Sequence, residues 1–331
     1  MLSSSALVVA SSAGQRTSRA ARRYFARRPA ILYEKEGTRL LTADEVLGSL
    51  HQAIRVHSSA CNLRCEYCCL DYGLASRIEP DASDINDLFR NCIKPPTLQT
   101  LRVYGTEPTL NHPALEAIER QCTSGRIKLP MLSTNGLDTD YALWLSQMGW
   151  LVSVSYDGPM GQAKRPMADG RDSTEEVRST IRALARSLGD QTCRLWVRVT
   201  VTDWATLEDT VSDIYSVGGR YIEIAPVFEI GCGKQSGTST GDMKTALSLL
   251  LPRWLQKGVG IFLPFTGKKH CGLAAGEAVY WVLDGASGWR PASCLVDTSL
   301  PIGDATLQER GRAQGCLLED LKACYGEWFV Q

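Results

Sequence analysis

Apolar positions along the middle of the chain follow two alternating periods. Short runs rich in Val, Ile, Leu and Tyr have the length of buried strands, and the segments between them repeat their apolar residues every three to four positions, as amphipathic helices do. The predicted strands are Ala53–Ser58, Leu98–Tyr104, Leu129–Thr134, Leu151–Tyr156, Leu195–Val201 and Tyr221–Val227. The predicted helices are Ser83–Ile93, Pro113–Gln121, Asp140–Gln147, Thr174–Leu188 and Leu207–Val217. This alternation predicts an α/β fold of parallel βαβ units with right-handed crossovers.

The alternation stops on both sides of this region. Before it, Ala30–Leu41 is typical of a short hairpin, and Thr42 with Glu45 forms a capping box that opens a helix. After Gly231, the pattern predicts one long helix, Thr238–Lys257, and then a short strand, Val259–Pro264. A β-hairpin follows, formed by Val279–Leu283 and Trp289–Ala292. We therefore expect four segments: 1–29, 30–50, a core over 51–230, and a C-terminal module over 231–331.

The first 29 residues are rich in Ser, Ala and Arg, and no acidic residue occurs before Glu34. This composition predicts a disordered basic extension, although it also suits a mitochondrial transit peptide. We expect a cytoplasmic protein, with the mitochondrial alternative open. No run approaches the roughly 18 apolar residues of a membrane span. Lys plus Arg and Asp plus Glu are equal at 36 each, so the net charge favours neither nucleic acid nor an anionic membrane as partner.

Three cysteines at the spacing Cys-x3-Cys-x2-Cys follow the first predicted strand of the core. They are Cys61, Cys65 and Cys68. Three such thiolates can hold three irons of a [4Fe–4S] cluster, and the fourth iron then stays open to another molecule. A zinc knuckle is one alternative, but it would need a fourth Cys or His nearby. Thiols that pack as small apolar side chains are the other.

This motif, with the aromatic Tyr67 just before its last cysteine, resembles the signature of the radical S-adenosylmethionine (radical SAM) superfamily. The resemblance implies a partial (β/α)6 barrel of the TIM type, with the active site at the C-terminal ends of the strands. It also implies that the open iron binds the amino and carboxylate groups of SAM. Cleavage of SAM would then give a 5′-deoxyadenosyl radical that abstracts hydrogen from a substrate.

Further motifs of the resembled family follow the second and third strands. Gly105-Thr106-Glu107-Pro108 is similar to the family's Gly-Gly-Glu-Pro, with Thr106 in place of the second glycine, and implies that Glu107 binds the SAM amino group. Ser133-Thr134-Asn135-Gly136 resembles a turn whose polar groups, here Ser133 and Asn135, approach SAM. An ordinary turn is the alternative for either motif, and the position of Gly105–Pro108 directly after the second strand favours the family motif there.

The fourth and fifth strands carry three more candidate residues. Ser155 and Asp157, in Ser153-Val154-Ser155-Tyr156-Asp157-Gly158-Pro159, are placed by the resemblance near SAM and near the substrate respectively. A solvated Asp-Gly-Pro turn is the alternative for Asp157. Arg198 is a cation in an otherwise apolar strand, so its guanidinium should meet a carboxylate. That carboxylate is either the one of SAM or a protein carboxylate in the barrel mouth.

A second group of cysteines lies in the C-terminal module, around the predicted hairpin. It resembles the SPASM and shorter Twitch extensions of the family, which carry auxiliary iron–sulfur clusters. The dense Cys-x2-Cys run of a full SPASM domain is absent, which favours one auxiliary [4Fe–4S] cluster. Its expected ligands are Cys271, Cys294, Cys316 and Cys324. Cys232 could replace one of them, or donate a hydrogen atom to a substrate radical, and thiols without metal are the alternative for the whole group.

The resemblance implies an oxidoreductase or epimerase. We expect dehydrogenation or epimerisation of a small, carbohydrate-like metabolite, because the chain has no room for a separate peptide-recognition domain. Two alternatives stay open: a maturase that oxidises or crosslinks a ribosomally made peptide, and a non-catalytic zinc-binding scaffold. A reducing partner such as flavodoxin or ferredoxin is implied, because cleavage of SAM requires an electron.

Overall fold

The fold is known from a computed structural model, which describes residues 6–9, 39–42, 52–56, 61–68, 78–92, 98–125, 127–227, 240–263, 279–284 and 288–292. Within these residues, eleven strands form one sheet. They are β1 Ala6–Val9, β2 Arg39–Thr42, β3 Gln52–Arg55, β4 Leu98–Tyr104, β5 Ile127–Thr134, β6 Leu151–Ser155, β7 Leu195–Val201, β8 Tyr221–Pro226, β9 Gly260–Leu263, β10 Val279–Asp284 and β11 Gly288–Ala292. The strand order is β11-β10-β3-β4-β5-β6-β7-β8-β9-β1-β2.

The central strands β3 to β9 are parallel to one another, as the alternation of strands and helices predicts. The helices between them are α1 Ala82–Asp87, α2 His112–Thr123, α3 Thr139–Gln147, α4 Gly158–Gln162, α5 Thr174–Leu188, α6 Leu207–Ser216 and, after β8, α7 Thr240–Gln256. A π-helical turn, Leu88–Cys92, extends α1. The predicted α/β class and its order of elements are confirmed.

The sheet is strongly curved. In sheet order β4 and β8 are four strands apart, a separation of about 19 Å in a flat sheet. Arg102 of β4 nevertheless lies 3.8 Å from Glu223 of β8, measured from Nη2 to Oε2. The inner faces of the two strands therefore oppose each other, which agrees with the expected partial barrel.

Side chains alternate between the two faces of each central strand. Apolar residues on the outer face, such as Val103, Val154 and Ile222, belong to one core with apolar residues of the helices. Toward the carboxyl ends of the strands the inner face is polar instead. Its residues include Arg102, Ser133, Ser153, Ser155, Arg198 and Glu223. A polar inner face indicates that the lumen accommodates a polar ligand rather than serving as the hydrophobic core.

The N-terminal segments differ from the expectation. Ala6–Val9, inside the stretch expected to be a disordered basic extension, form β1, which pairs antiparallel with β9. Arg39–Thr42 form β2, whose partner among the described residues is β1, and the rest of the predicted hairpin, residues 30–38, lies outside them. The helix expected from Thr42 lies outside the described residues. Among the described residues no helix is long and apolar enough to cross a membrane.

The beginning of the C-terminal module agrees with the prediction. α7, β9 and the β10–β11 hairpin occupy the expected positions, and β10 also pairs parallel with β3, so the hairpin continues the barrel sheet. The indole Nε1 of Trp289 donates a hydrogen bond to the carbonyl of Asp84 in α1, at 2.6 Å. Five cysteines with predicted roles lie outside the described residues: Cys232, Cys271, Cys294, Cys316 and Cys324.

Candidate functional site

The three motif cysteines lie in one loop, residues 61–68, which we call the cysteine loop. Cys61, Cys65 and Cys68 form no disulfide and are of intermediate exposure. The amide of Cys68 donates to the carbonyl of Cys65 at 3.2 Å, which forms a tight turn at the end of the loop. The Arg64 guanidinium donates to the carbonyl of Cys61 at 2.7 Å, and so fixes the start of the motif. The loop therefore holds the three thiols in a defined arrangement.

A second segment, residues 164–168, runs antiparallel to the cysteine loop. The amide of Arg64 donates to Pro166 O at 2.8 Å, and that of Glu66 donates to Lys164 O at 2.9 Å. Leu63 and Met167 form an antiparallel bridge. We call residues 164–168 the bracing segment, because it supports the backbone of the loop along most of its length.

The turn that follows β5 supports the loop from the other side. The Asn135 amide nitrogen donates to the side-chain carbonyl of Asn62 at 2.5 Å and lies 4.0 Å from the Cys61 sulfur. Its side-chain oxygen accepts from the amide of Leu137 at 3.0 Å, which fixes the orientation of the side chain. Gly136 has a φ of +82°, and a Cβ there would lie 2.7 Å from Val154. Asn135 therefore lies beside the motif, and its approach to SAM stays a prediction.

Glu107 connects the ends of β4 and β5. Its Oε1 accepts from the Thr109 hydroxyl at 2.8 Å, the Thr109 amide at 3.2 Å and the Thr134 hydroxyl at 2.7 Å. Its Oε2 accepts from the Asn135 amide at 2.6 Å. Burial raises the pKa of Glu107, and the hydrogen bonds from Asn135 and Thr134 counteract that effect. Glu107 is therefore as much a brace between two strand ends as a candidate ligand.

Asp157 is the centre of a buried polar network rather than an exposed turn residue. Its carboxylate accepts from the hydroxyl of Tyr67, from Arg165 at 3.4 Å and from the Thr200 amide at 2.6 Å. The Asp157 side chain is 1% exposed and that of Arg165 is 6% exposed. The solvated turn weighed for Asp157 is therefore wrong. Tyr67 and Asp157, which were predicted separately, belong to one network that links the cysteine loop to the end of β6.

Arg198 meets a protein carboxylate in the lumen. Its Nη1 lies 3.5 Å from Oε1 of Glu223, its direct partner in the register of β7 and β8. Arg102 approaches the other oxygen of Glu223 and donates from Nε to the Ser133 hydroxyl at 3.1 Å. Two arginines thus share one buried carboxylate, which leaves the cluster with an excess positive charge. Ser155 is the register partner of Arg198 on the opposite side, so both candidates are neighbours.

Residues 56–214 match the family model of the Radical SAM superfamily. The chain carries a radical SAM domain. The resemblance stated from the cysteine motif is thereby confirmed, and the matched residues include the cysteine loop, the bracing segment, Glu107 and Arg198.

Solved structures of similar fold support this assignment. SuiB of Streptococcus suis matches with a TM-score of 0.57 and 13% identity, over 85% of this chain and 68% of that one. SuiB bound to S-adenosylmethionine matches with a TM-score of 0.54 and 12% identity, over 94% and 80%. Native anSMEcpe with bound AdoMet and Cp18Cys peptide matches with a TM-score of 0.51 and 20% identity, over 64% and 63%. At these identities the similarity is one of fold.

This chain spans about 60% of the length of the anSMEcpe structures that it matches. A comparison with curated protein sequences found no match.

The donor set of the radical SAM domain fits an iron–sulfur cluster. The three thiols are unoxidised, partly exposed and held by backbone hydrogen bonds on both sides of the loop. Burial raises the pKa of Cys61 to about 11, and the charges of Glu107, Cys65 and Cys68 add to that effect. Because thiolates are the ligands, metal binding must displace a tightly held proton here. Among the described residues no three His, Cys, Asp or Glu side chains are grouped so that they could hold a single metal ion.

Several site residues were not found from the sequence. They are Asn62, Arg102, Thr109, Thr134, Arg165 and Glu223. Thr134 belongs to a motif that was recognised, and its hydroxyl could have been assigned from the Ser-Thr-Asn-Gly turn. Glu223 carried a usable signal, because an acidic residue in the apolar strand Tyr221–Pro226 is the partner that Arg198 requires. Arg165 carried no such signal, since its pairing with Cys65 joins segments that are 100 residues apart.

Proposed function

We propose that this protein is a radical SAM enzyme in which Cys61, Cys65 and Cys68 bind a [4Fe–4S] cluster. The observation that carries the proposal is the cysteine loop itself: three cysteines at the family spacing, none in a disulfide, supported by the bracing segment and by Asn135. When bound, the cluster and SAM supply one-electron cleavage of SAM and a radical that abstracts hydrogen. The protein contributes binding, orientation and exclusion of water.

Glu107 is the proposed partner of the SAM amino group. A carboxylate offers about four lone-pair positions, two on each oxygen. Oε1 already accepts three hydrogen bonds, whereas Oε2 accepts one, from Asn135. Oε2 thus retains capacity for an ammonium donor, and a hydrogen bond between these charged groups is among the strong ones.

The charged side chains of the lumen favour a small polar substrate. Arg102 and Arg198 are partly exposed, with side chains 23% and 27% accessible, while Glu223 between them is 7% accessible. The guanidinium of Arg198 can therefore keep its pairing with Glu223 and still donate to the SAM carboxylate, with Ser155 beside it. Arg102 can donate in the same way to oxygen atoms of a carbohydrate-like substrate. We propose dehydrogenation or epimerisation at a C–H carbon, with Cys232 as hydrogen donor in the second case.

A peptide maturase is the second candidate. It is favoured by structures of similar fold, since one anSMEcpe structure holds the Cp18Cys peptide and one SuiB structure is bound to precursor peptide SuiA. Both candidates share the cysteine loop and the proposed auxiliary cluster at Cys271, Cys294, Cys316 and Cys324. They differ in the substrate that the lumen admits. Transfer of deuterium from a labelled carbohydrate or from a labelled peptide to 5′-deoxyadenosine would distinguish them.

The test is anaerobic reconstitution with iron and sulfide, comparing the wild type with the Cys61→Ala/Cys65→Ala/Cys68→Ala variant. We expect about eight irons in the wild type and about four in the variant, as two cysteine-ligated [4Fe–4S] clusters require. A variant that loses all iron would refute the auxiliary cluster. Zinc in place of iron in the wild type would refute the enzymatic proposal and favour the scaffold.

A further inference from the structure

Arg165 lies directly opposite Cys65 in the pairing between the bracing segment and the cysteine loop. The bridge between Leu63 and Met167 sets the register, and the bonds from Arg64 to Pro166 and from Glu66 to Lys164 continue it. Moving two residues along each strand from the bridge places Cys65 against Arg165. Directly opposite residues of an antiparallel pair extend their side chains from the same face and lie close together.

The cation of Arg165 is buried at this position. Its side chain is 6% exposed, and its nearest carboxylate, Asp157, is shared with Tyr67 and with the amide of Thr200. The Nε of Arg165 is buried and donates to no acceptor among the described residues. Burial opposes the charge of Arg165, but the charges of Cys65, Asp157 and Cys61 raise its pKa. The guanidinium is therefore a permanent positive charge beside the motif thiols.

A buried charge of this kind acts on the reduction of a cluster. Reduction adds one negative charge to the cluster and its thiolates. A cation held a few ångströms away in a medium of low dielectric stabilises the more negative state more than it stabilises the oxidised one. Net charge and solvent exposure are among the factors that set the reduction potentials of iron–sulfur clusters. An exposed arginine at a similar distance would have much less effect, because water screens it.

We propose that Arg165 is a positioning residue that raises the reduction potential of the cluster bound by Cys61, Cys65 and Cys68. The inference rests on the proposed function, since it requires that cluster. Arg165 takes no part in electron or atom transfer. It shifts the equilibrium for transfer of one electron from the external reductant to the cluster.

The experiment is a redox titration of the reconstituted full-length protein, followed by electron paramagnetic resonance. The signal to follow is the one that changes when SAM is added, because SAM binds the open iron. Arg165→Gln removes the charge, and Arg165→Lys keeps it. Arg171→Gln is the matched control, since Arg171 lies six residues further along the chain and its side chain is 65% exposed.

We expect Arg165→Gln to lower the equilibrium constant for reduction at least tenfold, which is about 59 mV for one electron. For Arg165→Lys and for Arg171→Gln, the equilibrium constant for reduction should stay within about threefold of the wild-type value, which corresponds to a shift of less than about 59 mV. If Arg165→Gln titrates like Arg171→Gln, the inference is wrong, even if the cluster and SAM cleavage are intact. A loss of SAM affinity with an unchanged potential would also overturn it, and would make Arg165 a SAM ligand instead.

Loss of the cluster itself is also informative. If Arg165→Gln takes up no iron, restoration of uptake by Arg165→Lys supports a role for the charge, and failure of both variants contradicts it. Iron and sulfide counts on the wild type separate this inference from the proposed function. A wild-type protein that binds no cluster would refute both the proposed function and this inference.

Discussion

At the scale of single residues, the site depends on groups that serve two purposes. Glu107 braces the ends of β4 and β5 through Thr109, Thr134 and Asn135, and it is also the proposed ligand of the SAM amino group. Cys61 is a proposed metal ligand, yet in the free protein burial keeps its thiol protonated. Each dual role predicts a measurable consequence.

Substitution of Glu107 should affect both stability and SAM binding. Glu107→Gln replaces one acceptor oxygen with an NH2 group, which opposes either the Asn135 amide or the donors at Oε1. We expect a loss of about 1 to 3 kcal/mol in the free energy of unfolding, as for other buried unsatisfied groups. SAM affinity, measured by calorimetry on the reconstituted protein, should fall as well. Glu116→Gln, on the exposed face of α2, is the control, and equal behaviour of the two variants would contradict the dual role.

The raised pKa of Cys61 should be visible in its alkylation by iodoacetamide. Only the thiolate reacts, so the reaction rate should rise with a midpoint at about pH 11 rather than near the ordinary value of 9.0. Peptide mapping by mass spectrometry over a pH series of the metal-free protein would give that midpoint. A midpoint at or below 9.0 would show that Cys61 is not held as a buried thiol.

At the scale of elements, the apolar pattern was sufficient to locate most of the barrel. β4 and β7 match their predicted bounds, and so does α5, because each has a long, regular apolar period and clear turn residues at its ends. β1 was not predicted, since a four-residue strand in a basic segment becomes recognisable only through its pairing with β9. Arg165 was not predicted for the same reason. Its position opposite Cys65 results from pairing between segments 100 residues apart, and no local sequence period encodes such pairing.

The turn that starts α4 gives a prediction at this scale. Gly158 has a φ of +79°, and a Cβ there would lie 2.3 Å from the Thr210 hydroxyl and 2.9 Å from its Cα. Gly158→Ala should therefore destabilise the protein by about 2 to 4 kcal/mol, from backbone strain and overpacking together. Gly170→Ala is the matched control, because Gly170 has a φ of +87° but nothing within 4 Å of the added Cβ. Urea unfolding of both variants is the measurement, and equal losses would mean that contact with Thr210 is not the cause.

At the scale of the whole molecule, the C-terminal hairpin is attached to the radical SAM domain rather than separate from it. β10 continues the sheet beside β3, the strand that precedes the cysteine loop, and Trp289 of β11 donates to the carbonyl of Asp84. The sequence predicted both strands of the hairpin. Their attachment to β3 could not be predicted, because it pairs segments that are more than 200 residues apart in the chain.

This attachment can be tested through Trp289. Trp289→Phe keeps an aromatic ring but removes the donor to Asp84, so we expect a loss of about 1 kcal/mol in stability. Hydrogen exchange should also speed up in β10 and in the first turn of α1. Trp196→Phe is the control, because it removes a similar indole donor, from Trp196 in β7 to the carbonyl of Cys193. This variant should leave hydrogen exchange in β10 unchanged. Unchanged exchange in the Trp289→Phe variant would indicate that the β10–β3 pairing alone holds the hairpin.

The central claim is that the cysteine loop supports reductive cleavage of SAM. The most direct measurement is the formation of 5′-deoxyadenosine from SAM and dithionite under anaerobic conditions, by the reconstituted wild type and by the Cys61→Ala/Cys65→Ala/Cys68→Ala variant. We expect 5′-deoxyadenosine from the wild type and none above background from the variant. A folded wild-type protein that contains iron and sulfide, binds SAM and forms no 5′-deoxyadenosine would contradict it.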